Sequence, residues 1–307
     1  MTNEGVELEM NVNILNKKKL NWDVFFNIST VNNNIDMIHA DKKTSSLYTF
    51  GGKEYKGYNS GSFFISEDLS MYTWRLKKYA GVDAATGESL WYVRTEHVDP
   101  VLDADGKQQY DEEGKPLTNV WYSNETTNDW SKATYYVHDG KTTIADFTGG
   151  FGTSFGAYGF DASISCSFQI GGKQYDGTYA SFMGSPTSSS TGYNYHSDLM
   201  NSWTADNANS NIPRFQFDDT YSNAQSTRFL TDASFLNIDN INVGYTLPAR
   251  LTKKLAVNSF RVYVAADNVF YWSKRQGFDP RQSLSGGSDA SNYSPMRTIS
   301  GGVTIKF

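Results

Sequence analysis

The 307-residue sequence predicts an all-β fold: an antiparallel transmembrane β-barrel wall of about nine strands with long external loops. Three observations carry this. Segments of about 9–13 residues alternate apolar and polar side chains with period 2, the length a tilted strand needs to cross a bilayer. Short turns alternate with long polar stretches, as they do between the two ends of such a barrel. The chain closes on R-T-I-S-G-G-V-T-I-K-F, an alternating strand that stops on an aromatic carboxyl terminus.

The elements follow in order. Near 4–15, Val6, Leu8, Met10, Val12 and Ile14 alternate with Glu7, Glu9, Asn11 and Asn13. N-K-K-K (Asn16 to Lys19) is a short turn into a strand at 21–31, where Trp22, Val24, Phe26 and Ile28 share a face and only Phe25 breaks the polar one. Strands are read next at 61–82 and 89–97, joined by D-A-A-T-G (Asp83 to Gly87). G-A-Y-G (Gly156 to Gly159) joins 145–155 to 159–171, whose oily parity holds Phe160, Ala162, Ile164, Cys166, Phe168 and Ile170. Cys166 is there a small apolar filler.

At 228–247 the phase changes, with Leu236 and Ile238 on one parity and Ile241, Val243, Tyr245 and Leu247 on the other. A bulge near Asp239 or Asn240 accounts for this, and so does a portion extending beyond the membrane. L-P-A-R-L-T-K-K-L (Leu247 to Leu255) leads to 257–272, with Phe260, Val262, Val264, Ala266 and Phe270 on one face. The last strand, 294–307, sets Ile299, Val303, Ile305 and Phe307 on one parity. That is how outer-membrane barrels present their final strand to the barrel-assembly machinery. Long polar stretches fall at roughly 32–60, 97–144, 172–227 and 273–293.

Composition fits a barrel. No run of about 18 apolar residues is present for a spanning helix. A mean hydropathy of −0.53 fits strands that hide their oil in every second residue. Aromatics reach 15%, with 20 Tyr and 19 Phe, as rings in two interfacial girdles would require. A single cysteine excludes an internal disulfide, and the net charge of −6 with no basic patch gives no reason to expect nucleic acid. His39, His97, His138 and His196 lack metal-ligand spacing. D-A-D-G (Asp103 to Gly106) and D-E-E-G (Asp111 to Gly114) lack the EF-hand ligand order and read as hairpin turns. S-P-T-S-S-S-T-G at 185–192 offers no nucleophile elbow, and no Gly-rich phosphate loop occurs. No catalytic residue, metal or cofactor is expected. M-T-N-E-G-V-E-L-E-M has no basic start, apolar core or cleavage site, so the expectation is a stretch that starts within a barrel.

Several motifs resemble one family. N-E-G-V-E-L-E-M (Asn3 to Met10) with W-D-V-F-F-N-I-S (Trp22 to Ser29), Y-A-G-V-D-A-A-T-G-E-S-L-W-Y (Tyr79 to Tyr92) and F-T-G-G-F-G-T-S-F (147–155) are among them. D-L-M-N-S-W-T-A-D-N-A-N-S-N-I-P-R (Asp198 to Arg214), F-L-T-D-A-S-F-L-N-I-D-N-I-N-V-G-Y-T-L-P (Phe229 to Pro248), R-V-Y-V-A-A-D-N-V-F (Arg261 to Phe270) and G-F-D-P (Gly277 to Pro280) complete the set. In this order they resemble the carboxy-terminal part of the SusC/RagA family of TonB-linked outer-membrane transporters.

The resemblance implies a 22-strand barrel with a plugged lumen, of which residues 1–307 would supply about nine strands. Signal peptide, plug and earlier strands are not among the matched parts. It implies import of glycan oligomers or peptides, with energy passed from the TonB system through the plug. A SusD-like surface lipoprotein is the implied partner, and the lipid bilayer the surroundings. Loop aromatics Trp121, Tyr122, Trp130, Tyr193, Tyr195 and Trp203 are then candidates to stack on an oligosaccharide or a peptide, beside Tyr135 and Tyr136. Two other readings of the residues stay open: a passive porin or adhesin barrel, and a soluble carbohydrate-binding β-sandwich.

Overall fold

A computed structural model describes residues 1–43, 46–51, 53–188, 194–255, 257–282 and 294–307. Two compact units partition the chain. The first comprises Met1–Trp74, Val137–Thr178 and Leu230–Phe307; the second, Arg75–Tyr136 and Tyr179–Phe229.

The first unit is built on one antiparallel sheet of seven strands: β1 (Glu7–Lys17), β2 (Leu20–Ser29), β3 (Phe147–Ala157), β4 (Phe160–Ile170), β5 (Phe235–Thr246), β6 (Ser259–Ser273) and β7 (Thr298–Lys306). Each pairs with its neighbour in that order. Register converts the alternation of single strands into rows across the sheet. Met10, Phe26, Phe151, Cys166, Ile238 and Phe270 stand opposite one another in succession. So do Val12, Val24, Thr153, Ile164, Ile241, Ala266 and Ile299. Cys166 is the filler the sequence predicts, closed in between Phe151 and Ile238.

The other parity carries Asn13, Asp23, Ser154, Ser163, Asn242, Ala265 and Ser300 in one row. The apolar rows are not a core. Leu8 is 56% exposed, Val264 56% and Ile299 72%. A sandwich would press these side chains against a second sheet; here they face outward.

Connections are short at one edge of the sheet and long at the other. Lys18 and Lys19 join β1 to β2, and Tyr158 and Gly159 join β3 to β4. Both residues of the second turn have positive φ (52° and 98°), the conformation that matches the twist of a two-residue hairpin. A short helix, Ala249–Thr252, lies between β5 and β6. The opposite edge emits residues 30–146, 171–234 and 274–297.

A bulge settles the phase of β5. Against β4 the register shifts between Ile238 and Asn240, so Asp239 is the extra residue there and Leu236, Ile238, Ile241 and Val243 all keep the outward face. Against β6, Asn268 and Val269 oppose Asp239, so β6 bulges in turn. Ile14 is likewise an extra residue, since Asn13 opposes Asp23 and Leu15 opposes Trp22.

Two of the nine expected wall strands are not in this sheet. The segment 61–82 breaks into Phe63–Ser66, Thr73–Lys77 and Tyr79–Val82, and 89–97 lies within Ser89–Pro100; all belong to other sheets. Their charges explain it. Arg75, Lys77, Lys78, Arg94 and Glu96 fall on both parities, and a lipid-facing cation costs about 2–4 kcal/mol at the bilayer midplane. Asp83 to Gly87 is therefore a turn within the long excursion 30–146.

The rest of the first unit includes a small sheet of Ser46–Phe50, Lys53–Ser60 and Phe63–Ser66. Phe64, Leu69 and Val137 form its core, with Tyr48, Phe50 and Tyr55 packed on them. The second unit has its own three-stranded sheet, Tyr79–Val82, Ser89–Pro100 and Thr118–Thr127, and buries Leu76, Trp91, Met183 and Phe229.

Candidate functional site

Among the described residues, the site residues predicted from sequence fall in the second unit, apart from the closing strand. Ser89–Pro100 and Thr118–Thr127 pair as a long hairpin. Trp121 lies opposite His97 and stacks on it, with centroids 4.1 Å apart and an interplanar angle of 15°. Its indole N–H donates to Asp99 Oδ2 at 2.5 Å. Tyr122, the next residue, takes the opposite face of the ribbon. Its hydroxyl donates to Glu96 Oε2 at 3.1 Å, and the Arg94 guanidinium lies 3.8 Å from its ring centroid. Period 2 thus points these two rings apart.

The hairpin tip repeats one device. Asp103 Oδ1 accepts from the backbone N–H of Asp105 and Lys107, and Asp111 Oδ1 accepts from Glu113 and Lys115, all at 2.8–3.0 Å. These carboxylates cap their own turns, as the sequence predicts. Among the described residues no group of three or more metal-ligating side chains assembles.

Trp130 and Trp203 are anchors. The Trp130 indole donates to the Gln225 carbonyl at 2.9 Å, and the Lys77 ammonium sits 3.8 Å from its ring centroid while donating to the Trp130 carbonyl at 2.6 Å. Burial pushes the Lys77 ammonium below its ordinary pKa. Trp203 donates to the Ala84 carbonyl at 3.1 Å and covers Gly87, where a Cβ would meet the indole at 2.3 Å. Gly87 has φ +74°, so that turn needs glycine for both reasons.

Arg214 completes the lock. Its Nη1 donates to the Thr86 carbonyl at 3.2 Å, Nη2 to Glu88 at 3.0 Å and Nε to Asp219 at 3.1 Å. Two motifs read separately in the sequence, Tyr79 to Tyr92 and Asp198 to Arg214, are thereby one assembly. Tyr195 meets Phe215 edge to face at 5.1 Å. Tyr136 donates its hydroxyl to Asn124 at 2.9 Å. Tyr193 lies outside the described residues.

The five candidate aromatics among the described residues do not converge. A cleft of about 310 Å³ in the same unit is lined by Glu88, Trp91, Asp129, Arg214, Asp219 and Tyr221, among others. Trp91 and Tyr221 meet edge to face at 6.0 Å, and Trp130 lies 6.5 Å from Tyr221. Planar polar groups beside aromatic edges can hold a hydroxyl-rich or amide-rich ligand. Sequence reasoning selected exposed loop rings and missed this cleft; the signal was the P-R that ends the Asp198 to Arg214 motif.

In the closing strand, Ile299, Val303 and Ile305 all face outward, and Phe307 is 88% exposed. Antiparallel strands, apolar outside and polar inside, with short turns at one edge and long loops at the other, make the wall of a transmembrane β-barrel.

No protein-family model matches the chain. It is 27% identical over 172 residues to TonB-dependent receptor P3 of Formosa agariphila, covering 53% of this chain and 16% of that protein. Against TonB-dependent receptor SusC of Bacteroides thetaiotaomicron it is 23% identical over 309 residues, covering 100% of this chain and 26% of that protein. The fold matches a structure of the RagAB peptide transporter with a TM-score of 0.71 at 23% identity, over 99% of this chain and 29% of that one. The resemblance drawn from the motifs is borne out: the whole chain is similar in sequence to SusC and in fold to the RagAB transporter. It spans about a quarter of the length of SusC. The relatives are receptors and transporters, not enzymes.

Proposed function

We propose that this chain forms part of the wall and external loops of an outer-membrane, TonB-dependent importer of glycan oligomers or peptides. The observation that carries the reading is the similarity of the whole chain to SusC, in a stretch whose apolar rows face outward. The similar solved structure is that of a peptide transporter, which supports the peptide half of the cargo assignment. The glycan half, the SusD-like lipoprotein and the plug that contacts TonB come from the motif resemblance. In this reading the cleft beside Trp91 and Tyr221, together with Trp121, Tyr122, Trp130, Tyr195 and Trp203, belongs to the cargo-facing loops. Tyr193 is carried with them on sequence alone. Ile299, Val303, Ile305 and Phe307 serve as the signal read by the assembly machinery.

The test is uptake of labelled oligosaccharide and peptide pools by cells with and without this protein, each with TonB present or depleted. Uptake of one pool should need both. Uptake that needs the protein but persists without TonB would overturn the importer reading in favour of a passive pore.

A further inference from the structure

The sequence shows no basic run beyond Lys17 to Lys19, yet the fold gathers one. Lys17, Lys18 and Lys19 sit in the first short connection; Arg250, Lys253 and Lys254 sit in the third; Lys306 ends β7 at the same edge. All seven are exposed, and among the described residues none belongs to a salt bridge. Several other cations of this unit are paired, as in Lys43–Glu67, Lys173–Asp232 and Arg281–Asp279. Seven of the chain's 27 Lys and Arg residues are at this edge. No Asp or Glu side chain occurs in 14–22, 157–160, 246–260 or 301–307.

A groove of about 590 Å³ opens here, lined by Lys18, Lys19, Tyr158, Phe160 and Pro248. Asp161 also lines it, but the Arg261 guanidinium holds that carboxylate, with Nε at 3.0 Å. The Lys19 ammonium lies 5.7 Å from the centroid of the Tyr158 ring. Tyr158 and Phe160 are 68% and 61% exposed, so apolar rings border the unmatched cations.

We infer that this short-turn edge binds the headgroup of an anionic phospholipid, with Lys18 and Lys19 on its phosphate and the Tyr158 and Phe160 rings against the start of its chains. The inference rests on the membrane reading above. Amphipathic rings prefer the bilayer interface, and clustered cations beside it attract anionic lipid while their attraction falls with salt. No carboxylate is left at the groove to compete for the two lysines.

The test uses the protein as cells make it, purified from outer membranes and reconstituted into nanodiscs of phosphatidylcholine with phosphatidylglycerol. Native mass spectrometry counts the lipids retained. Phosphatidylglycerol should be retained over phosphatidylcholine, less so at high salt. K17Q/K18Q/K19Q should lower that preference by about tenfold or more, since each cation near an anionic surface contributes separately. R250Q/K253Q/K254Q should lower it as well, and K107Q/K115Q, in the hairpin tip, should leave it unchanged. Equal retention of both lipids by the inserted wild-type protein, a preference indifferent to both triple variants, or displacement of the lipid by inorganic phosphate would each overturn the headgroup site alone. Recovery of the protein in the aqueous fraction, without any bilayer, would instead overturn the membrane reading beneath it.

Discussion

Phe25 shows how one side chain is reconciled with a polar face. It is the one aromatic break in the inward parity of β2, and it lies opposite Gly152 on β3. A Cβ on Gly152 would come 2.4 Å from both the Phe25 ring and the Ile164 carbonyl, so the ring occupies the space a side chain would need. Gly302 beside Tyr263 and Gly244 beside Arg261 repeat the arrangement. Gly152→Val should destabilise the wall by about 1–3 kcal/mol through overpacking. Loss of the compact, heat-modifiable form at lower temperature on a gel would measure it. An unchanged transition would show that the ring has somewhere else to go. Phe25 was legible in the sequence as an irregularity. Its cause was not, because pairing it with Gly152 needs the register of a strand more than 120 residues away.

At the scale of elements, strands with one clean oily parity were found in place. β1, β2, β4, β6 and β7 have side chains that report directly on what they face. The expected wall strands at 61–82 and 89–97 lie outside the wall, since Arg75, Lys77, Lys78, Arg94 and Glu96 put charge on both parities. The bulge at Asp239 is the one place where the sequence left two accounts and the register chooses between them. Ser167 Oγ donates to Asp239 Oδ1 at 2.8 Å, so the extra residue is held on the inward side. Deleting Asp239 should remove the bulge and leave Leu236 and Ile238 outward and Asn237 inward by plain alternation, because Asp239 is the extra residue. Cysteines placed at 236 and 237 and labelled with a lipid-soluble maleimide would read the phase, and 236 should label with and without Asp239. Labelling that moves from 236 to 237 on deletion would mean that β5 is not phased by a bulge at Asp239.

For the molecule as a whole, the sequence carried the class and not the site. Alternation is a property of consecutive residues, so an outward-apolar wall is written in any one strand. A cleft assembled from Trp91, Asp129, Arg214 and Tyr221 is not. The hairpin rings Trp121 and Tyr122 were visible by residue type alone, and their divergence to opposite faces needed the pairing. The closing strand offers a test at this scale. Removing Phe307 should lower the amount of folded protein in the outer membrane and leave more unassembled chain in the periplasm, as fractionation would measure. Full assembly without it would remove the terminal aromatic from the assembly signal.

The clasp that Trp203 and Arg214 make with the Asp83 to Glu88 turn joins stretches 119–128 residues apart. β3 and β4 lie between them in the chain. Closing so large a loop carries an entropic cost that only a finished scaffold can offset. The clasp is therefore expected to close late: its two parts are delivered separately and should snap together once the staves between them in the chain are laid.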